Sequence, residues 1–306
     1  MSYDPSLDKA PELLARAARA AGLRPDLTQG GGGNVSIKLN SERMLVKASG
    51  VKLKDVSAAG GYALVNYGNI RRRIAAGPGT EGEFSDFICA QTLPVRGVAP
   101  AKPSIETGFH ALLNTVVIHT HSVYANILNM SAEGHRLGRE LFPAAEFIGY
   151  RSPGPQLCSA VNERARASGP QVFFLANHGL AAAHAGVEGA LELNASVNET
   201  IRRGLRLPAY PAAAPSPGLS PHNAERLAVY GKTFLLENVL SPDQALYCGP
   251  AELEGKGGME AANEVLTALF YILDCMRLLK LTPRFLTKAE TAYFDTMKSG
   301  RYSRKG

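Results

Sequence analysis

Asn114-Thr-Val-Val-Ile-His-Thr-His-Ser-Val123 is the stretch on which the reading of this sequence turns. Its apolar, β-branched run reads as a buried strand. Successive side chains on a strand point to opposite faces, so residues two apart share one. His119 and His121 therefore project the same way from one stiff element, which is half of a metal site. A second strand-like run, Val172-Phe-Phe-Leu-Ala176, leads into Asn177-His178-Gly179 and supplies a third imidazole. A carboxylate, Glu106, lies upstream in Lys102-Pro-Ser-Ile-Glu106. Three neutral imidazoles that leave a coordination position open describe a catalytic, zinc-type site rather than a structural one. The competing reading of His-x-His alone is a pair of satisfied polar residues in a buried strand.

The other histidines compete weakly. Glu106 and His110 stand four apart on a predicted helix and would make a ligand pair. The simpler reading puts Glu106 near the helix N-terminus, where the dipole favours an anion, and leaves His110 an ordinary helix residue. His135, His184 and His222 have polar or small neighbours and no partner motif, and read as structural or surface residues.

Upstream, Gln29-Gly-Gly-Gly-Gly-Asn-Val-Ser36 breaks any helix and lets the backbone approach a ligand closely. It is not a Walker loop, which ends in Gly-Lys-Ser/Thr, and no dinucleotide fingerprint stands between a strand and a helix. Two readings stay open: a small anion pocket with Asn34, Ser49, Gly50 and Ser104 as donors, or a tight turn.

Around these motifs the chain alternates strands and helices, which predicts an α/β or α+β class. Residues 10–22 read as a helix. Val35–Lys38 and Met44–Lys47 read as strands that pair across Asn40-Ser41-Glu42. Residues 60–80 read as a strand region followed by a loop at Gly77-Pro-Gly79. Helices are predicted over 104–113, capped by Ser104, and over 121–132, Gln156–Ser168 and Glu188–Leu205. Pro208, Pro211, Pro215, Pro217 and Pro221 mark the clearest boundary. They divide the chain into a catalytic domain over 1–206, a linker over 207–221 and an α-rich extension over 222–306, with one short strand near Ala245–Cys248.

The bulk properties exclude several classes. The chain has 306 residues, 45% apolar and 20% charged, enough for a sizeable globular core. Its net charge of +6 is spread along the chain, densest at Arg71-Arg72-Arg73 and in the tail at Arg301, Arg304 and Lys305. That pattern favours anionic substrates without implying nucleic acid. Cys89, Cys158, Cys248 and Cys275 form no C-x-x-C pair, and read as reduced thiols of a cytoplasmic protein. The start, Met1-Ser-Tyr-Asp-Pro5, lacks the pattern of a signal peptide. Val265–Leu279 carries Asp274 and Arg277 and is too short to span a bilayer, so no membrane partner is expected.

Five blocks occur in order: Gly32-Gly-Asn-Val-Ser36, Lys47-Ala-Ser-Gly50, Lys102-Pro-Ser-Ile-Glu106, Ile118-His-Thr-His-Ser122 and Asn177-His-Gly-Leu180. Together they resemble the signature of the class II aldolase/adducin family, over about residues 10–205. Leu27-Thr-Gln-Gly-Gly-Gly-Gly-Asn34 and Pro103-Ser-Ile-Glu-Thr107 look closest to a longer-form branch, the aldolase half of bifunctional rhamnulose-phosphate aldolase/dehydrogenases. The resemblance implies a three-layer α/β/α sandwich with a central, largely antiparallel sheet, and a homotetramer. It implies that His119, His121 and His178 hold a divalent metal, usually Zn2+, and that Glu106 is the acid/base. Asn34, Ser49, Gly50 and Ser104 would line the phosphate or equivalent anion pocket. The implied reaction makes or cleaves a C–C bond in a small sugar or sugar phosphate through a metal-stabilised enediolate. The alternatives are an epimerase or dehydratase of a pentose-type phosphate and, against the intact ligand set, an adducin-like scaffold. Two departures stand out. Ile105 occupies the place of a second serine that the small sugar-phosphate aldolases carry. No tyrosine can be assigned as proton donor; Tyr124 and Tyr150 are candidates, and an ordinary structural place is the simpler reading of each.

Overall fold

The computed structural model describes residues 9–166, 168–211, 216–292 and 294; Met1–Pro5 and the basic tail lie outside them. In chain order the elements are α1 (Ala10–Gly22), β1 (Asn34–Lys38), β2 (Arg43–Lys47), β3 (Tyr62–Asn66), α2 (Tyr67–Ala75), α3 (Glu81–Ala90), β4 (Thr92–Leu93), α4 (Thr107–Leu112), β5 (Val116–Thr120), α5 (Val123–Asn129), α6 (Gly134–Leu141), β6 (Glu146–Ile148), α7 (Pro155–Asn162), β7 (Gln171–Leu175), β8 (Gly179–His184), α8 (Val187–Gly204), α9 (Pro221–Tyr230), α10 (Lys232–Glu237), α11 (Pro242–Tyr247), α12 (Pro250–Leu253) and α13 (Met259–Leu279).

Among the described residues eight strands form one sheet in the order β4-β3-β2-β1-β5-β8-β7-β6. Every neighbouring pair is antiparallel except β6 and β7. The strand period of two sorts side chains between two helical layers. Val116 and Ile118 of β5 pack on one face with Leu14, Ala17 and Ala18 of α1 and with Val187 and Ala190 of α8. Val117 faces the other way and packs with Phe84, Phe109 and Leu157, from α3, α4 and α7. The result is the expected α/β/α sandwich with a largely antiparallel sheet. β5 lies near its middle, between β1 and β8, and is fully buried.

The expected β1–β2 hairpin forms, with Ser36 opposite Val46. Its turn is organised by the Asn40 side chain, whose Oδ1 accepts from the N–H groups of Glu42 (2.9 Å) and Arg43 (2.8 Å). Elsewhere local capping overrides the sequence reading. The strand expected within 60–80 ends at Asn66, whose Oδ1 accepts from Asn69 N at 3.0 Å and starts α2, and the expected loop at Gly77-Pro-Gly79 follows that helix. Thr80 and Glu83 form a reciprocal capping box that starts α3. The helix expected from Ser104 begins at Thr107 instead, and Ser104 Oγ accepts from Glu106 N at 3.3 Å. The helix expected to reach Ser168 stops at Asn162. The strand expected near Ala245–Cys248 is helix α11 through Tyr247, because Ser241 caps it and Pro242 suits its first turn.

The C-terminal helices pack on the face that carries α1 and α8. α13 is buried on most of its surface, and its Leu266, Leu269, Phe270 and Leu273 join Val123, Ile127 and Leu128 of α5 in one core. The chain flanking the proline-rich stretch is tied to α13: Tyr271 donates to Pro208 O at 2.8 Å, and the Asn263 amide bonds Gly218 O and Ser220 N. No helix among the described residues is long and apolar enough to cross a membrane. All four cysteines are free thiols.

Candidate metal centre

The alternation of β5 that sends Val117 toward α4 sends His119 there too, and His121 follows just past the strand end. His178 arrives from the hairpin between β7 and β8, where Leu175 pairs with Gly179. Asn177 adopts the left-handed conformation there (φ 55°), which asparagine tolerates better than most residues. Glu106 stands immediately before the first residue of α4. The three rings meet edge to face, with centroids 5.1 Å (His119–His121), 4.9 Å (His119–His178) and 5.1 Å (His121–His178) apart. One ligand atom from each ring and one from Glu106 lie within 4.8 Å of one another. Glu106 Oε1 is 3.1 Å from His178 Nε2 and 3.4 Å from His119 Nε2.

This donor set fits a divalent ion. His119 uses Nδ1 on the carbonyl of Leu180 (3.0 Å), and His121 uses Nδ1 on the Asp243 carboxylate. Both Nε2 atoms are buried and have no hydrogen-bond partner among the described residues. An unsatisfied buried nitrogen costs ~1–3 kcal/mol, so two facing each other beside a carboxylate are better explained as ligands. Burial works to raise the Glu106 carboxyl, but the His119 and His178 rings outweigh it and hold the group well below the usual carboxylate range. Its other oxygen accepts from the Asn34 amide at 3.4 Å.

A cavity of about 240 Å³ opens above these groups. Ser49, Gly50 and Ser104 line it, as does Ile105. Asn34 is fully buried behind Glu106 and is not among the lining residues. Lys47 and Lys102 add two cations to the wall. Lys47 is 3% exposed and donates to Val51 O at 2.7 Å; burial pushes its ammonium pKa down, and the charge of Glu106 opposes that. Gly31, Gly32 and Gly33 of the glycine run line the same cavity. A methyl on Gly32 would collide with the His121 ring, so only glycine lets the loop pass. Two of its N–H groups are already engaged, Gly30 on Glu264 (2.7 Å) and Gly32 on Gln29 O (2.9 Å).

The remaining histidines stay out of the cluster. His110 is fully buried beside Ser36 Oγ (Nδ1 at 2.8 Å), and burial, reinforced by His119, pushes it down to about 3. His135 accepts from Arg139 at 2.9 Å, and His184 accepts from Gly186 N at 3.2 Å. Tyr124 lines a separate cavity beside Asp26, and Tyr150 is buried against Leu286 and Phe294. Asp243 and Tyr247, both on α11, line the metal-site cavity and were not singled out by the motifs. The capping signal Ser241-Pro242 was readable; the partners of these two side chains were not.

The profile of the family described as Class II Aldolase and Adducin N-terminal domain matches residues 12–203. The chain belongs to this class II aldolase/adducin family. No curated protein matches it. Among solved structures, the N-terminal class II aldolase domain of a conserved protein from Thermoplasma acidophilum superposes with a TM-score of 0.57 at 20% identity, covering 67% of this chain and 96% of that one. An L-fuculose 1-phosphate aldolase from Glaciozyma antarctica has a TM-score of 0.44 at 13% identity, covering 92% of this chain and 94% of that one. An aldolase II superfamily protein from Pseudomonas syringae has a TM-score of 0.48 at 16% identity, covering 67% and 77%. At 20% identity the likeness to the Thermoplasma acidophilum domain is one of fold. The class II aldolase matched region contains all four residues of the cluster and ends before Asp243 and Tyr247.

Proposed function

We propose that this class II aldolase family member is a divalent-metal-dependent lyase that makes or cleaves a C–C bond in a small hydroxylated carbonyl compound, a sugar or sugar phosphate. The observation that carries the reading is the buried convergence of His119, His121, His178 and Glu106 within 4.8 Å, with Glu106, His121 and His178 lining a cavity. The three histidines would hold the ion, with Zn2+ the natural occupant of an imidazole-rich site. The bound ion supplies Lewis-acid polarisation of a carbonyl and its adjacent hydroxyl.

The chain's own groups supply the rest. Glu106 is an anion at rest and removes or returns a proton at the carbon beside that carbonyl, a role worth ~10²–10⁴-fold. Asn34 holds the second Glu106 oxygen and so aims the first. Lys47, Lys102, Ser49 and Ser104 present positive charge and donors to an anionic end of the substrate. Ile105 places an apolar surface where a further hydroxyl would have bound phosphate, which favours a substrate with a smaller anion or none. We place the catalytic domain at 1–206, the linker at 207–221 and the α-rich extension at 222–306, and expect a cytoplasmic homotetramer.

Purified protein incubated with ketoses and ketose phosphates, with Zn2+ present, should release aldehyde from at least one of them. Epimer or dehydration product without aldehyde would replace lyase by epimerase or dehydratase. Absence of bound divalent metal, with no gain on adding it, would overturn the metal-dependent reading altogether.

A further inference from the structure

We propose that Asp243 is a positioning residue of the metal centre: contributed from outside the matched family domain, its carboxylate accepts the Nδ1–H of His121 and fixes that ring with Nε2 toward the ion. The inference rests on the metal reading above and adds to it a residue on α11. The Asp243 carboxylate bonds His121 Nδ1, with both side chains largely buried, at 12% and 8% exposure. On the Gly32 side the loop leaves the ring no slack, because even a methyl there would strike it. His121 is therefore held between the glycine loop and Asp243. His119 has only the Leu180 carbonyl in the corresponding place. A carboxylate there fixes the tautomer as a carbonyl does, and also makes the ring a stronger donor.

The element that carries Asp243 is itself pinned. Ser241 Oγ accepts from Gln244 N at 3.1 Å, and the Gln244 amide bonds Leu235 O (2.8 Å), Asn238 O (3.0 Å) and Leu240 N (2.8 Å). The same segment reaches the turn of the third ligand. Asn177, next to His178, donates to Leu240 O (2.8 Å) and Arg284 O (2.7 Å), and accepts from the Arg284 guanidinium. The chain beyond residue 222 thus fixes two of the three imidazoles, one through a side-chain carboxylate and one through its sequence neighbour Asn177.

The test compares full-length wild type with Asp243→Asn and Asp243→Ala after chelator stripping. Readouts are Co2+ and Zn2+ affinity by competition with a chromophoric chelator, the visible absorption of the Co2+ form, and the melting temperature of the metal-free protein. Wild type should bind about one equivalent. Asp243→Ala should lose ~10–100-fold in affinity with a changed Co2+ spectrum, and Asp243→Asn should lose less, since an amide oxygen still accepts the Nδ1–H. The metal-free Asp243→Asn form should melt as wild type does, while Asp243→Ala should melt lower because it leaves the buried His121 Nδ1–H unpaired. Wild type without metal would overturn both readings. Wild type with one equivalent and variants within twofold of it would overturn this inference alone. A drop in metal-free melting of Asp243→Asn that tracks its affinity loss would also overturn it, in favour of a purely structural role.

Discussion

His110 should make the protein acid-sensitive through the helix that follows Glu106. The ring is fully buried against Ser36, and burial, reinforced by the neighbouring His119, lowers its pKa from 6.5 to about 3. The unfolded chain takes up this proton as pH falls through about 6.5, while the folded chain refuses it until about 3. Between those values the unfolded state binds more protons, so stability is lost as pH falls. At pH 5 the gap is about 1.5 units, which at 1.36 kcal/mol per unit removes about 2 kcal/mol relative to pH 7.5. His110→Asn keeps a hydrogen-bonding atom near Ser36 and removes the titration. It should lower stability at pH 7.5 by leaving a small cavity, but lose about 2 kcal/mol less than wild type on acidification. Urea unfolding of the chelator-stripped proteins at both pH values measures this, and the difference between the two proteins cancels the titration of the other histidines. An equal acid loss in both, within about 0.5 kcal/mol, would refute the assignment of a neutral, proton-refusing His110.

Three further outcomes follow from the site. Wild type should carry about one divalent ion, and loading the stripped protein at a hundredfold excess over Kd should add about 2.7 kcal/mol of stability, read as a rise in melting temperature. Glu106→Gln should keep the metal yet lose ~10²–10⁴-fold in turnover of whichever ketose the wild type cleaves, since the amide cannot take the proton; a variant with near-normal turnover would remove Glu106 from the acid/base role. Gly32→Ala should lower metal affinity, because its methyl must displace the His121 ring; equal affinity measured by chelator competition would mean that the loop yields instead.

The legible part of this protein was its periodic and local part. The spacing of His119 and His121 is two, and a strand converts that directly into a shared face. The β1–β2 turn was legible because Asn40 organises it within three residues. Some misses were also local. The Thr80–Glu83 capping box and the Ser241-Pro242 start were in the sequence, but the stretch behind the first drew no helix assignment and the one behind the second read as strand. Short apolar runs such as Ala245–Cys248 do not distinguish helix from strand by pattern alone.

The sequence by itself determined the donor types, their order and the family, because imidazole spacing and motif order survive without coordinates. Only the tertiary structure decided how the donors are held. Asp243 meets His121 from 122 positions away, Asn34 turns inward to Glu106 rather than into the cavity, and Gly32 gives clearance to the His121 ring. The physical reason is the same in each case. These contacts depend on which buried surfaces α11, β1 and the glycine loop press together, and side-chain partners across packed elements leave no periodic trace in the chain.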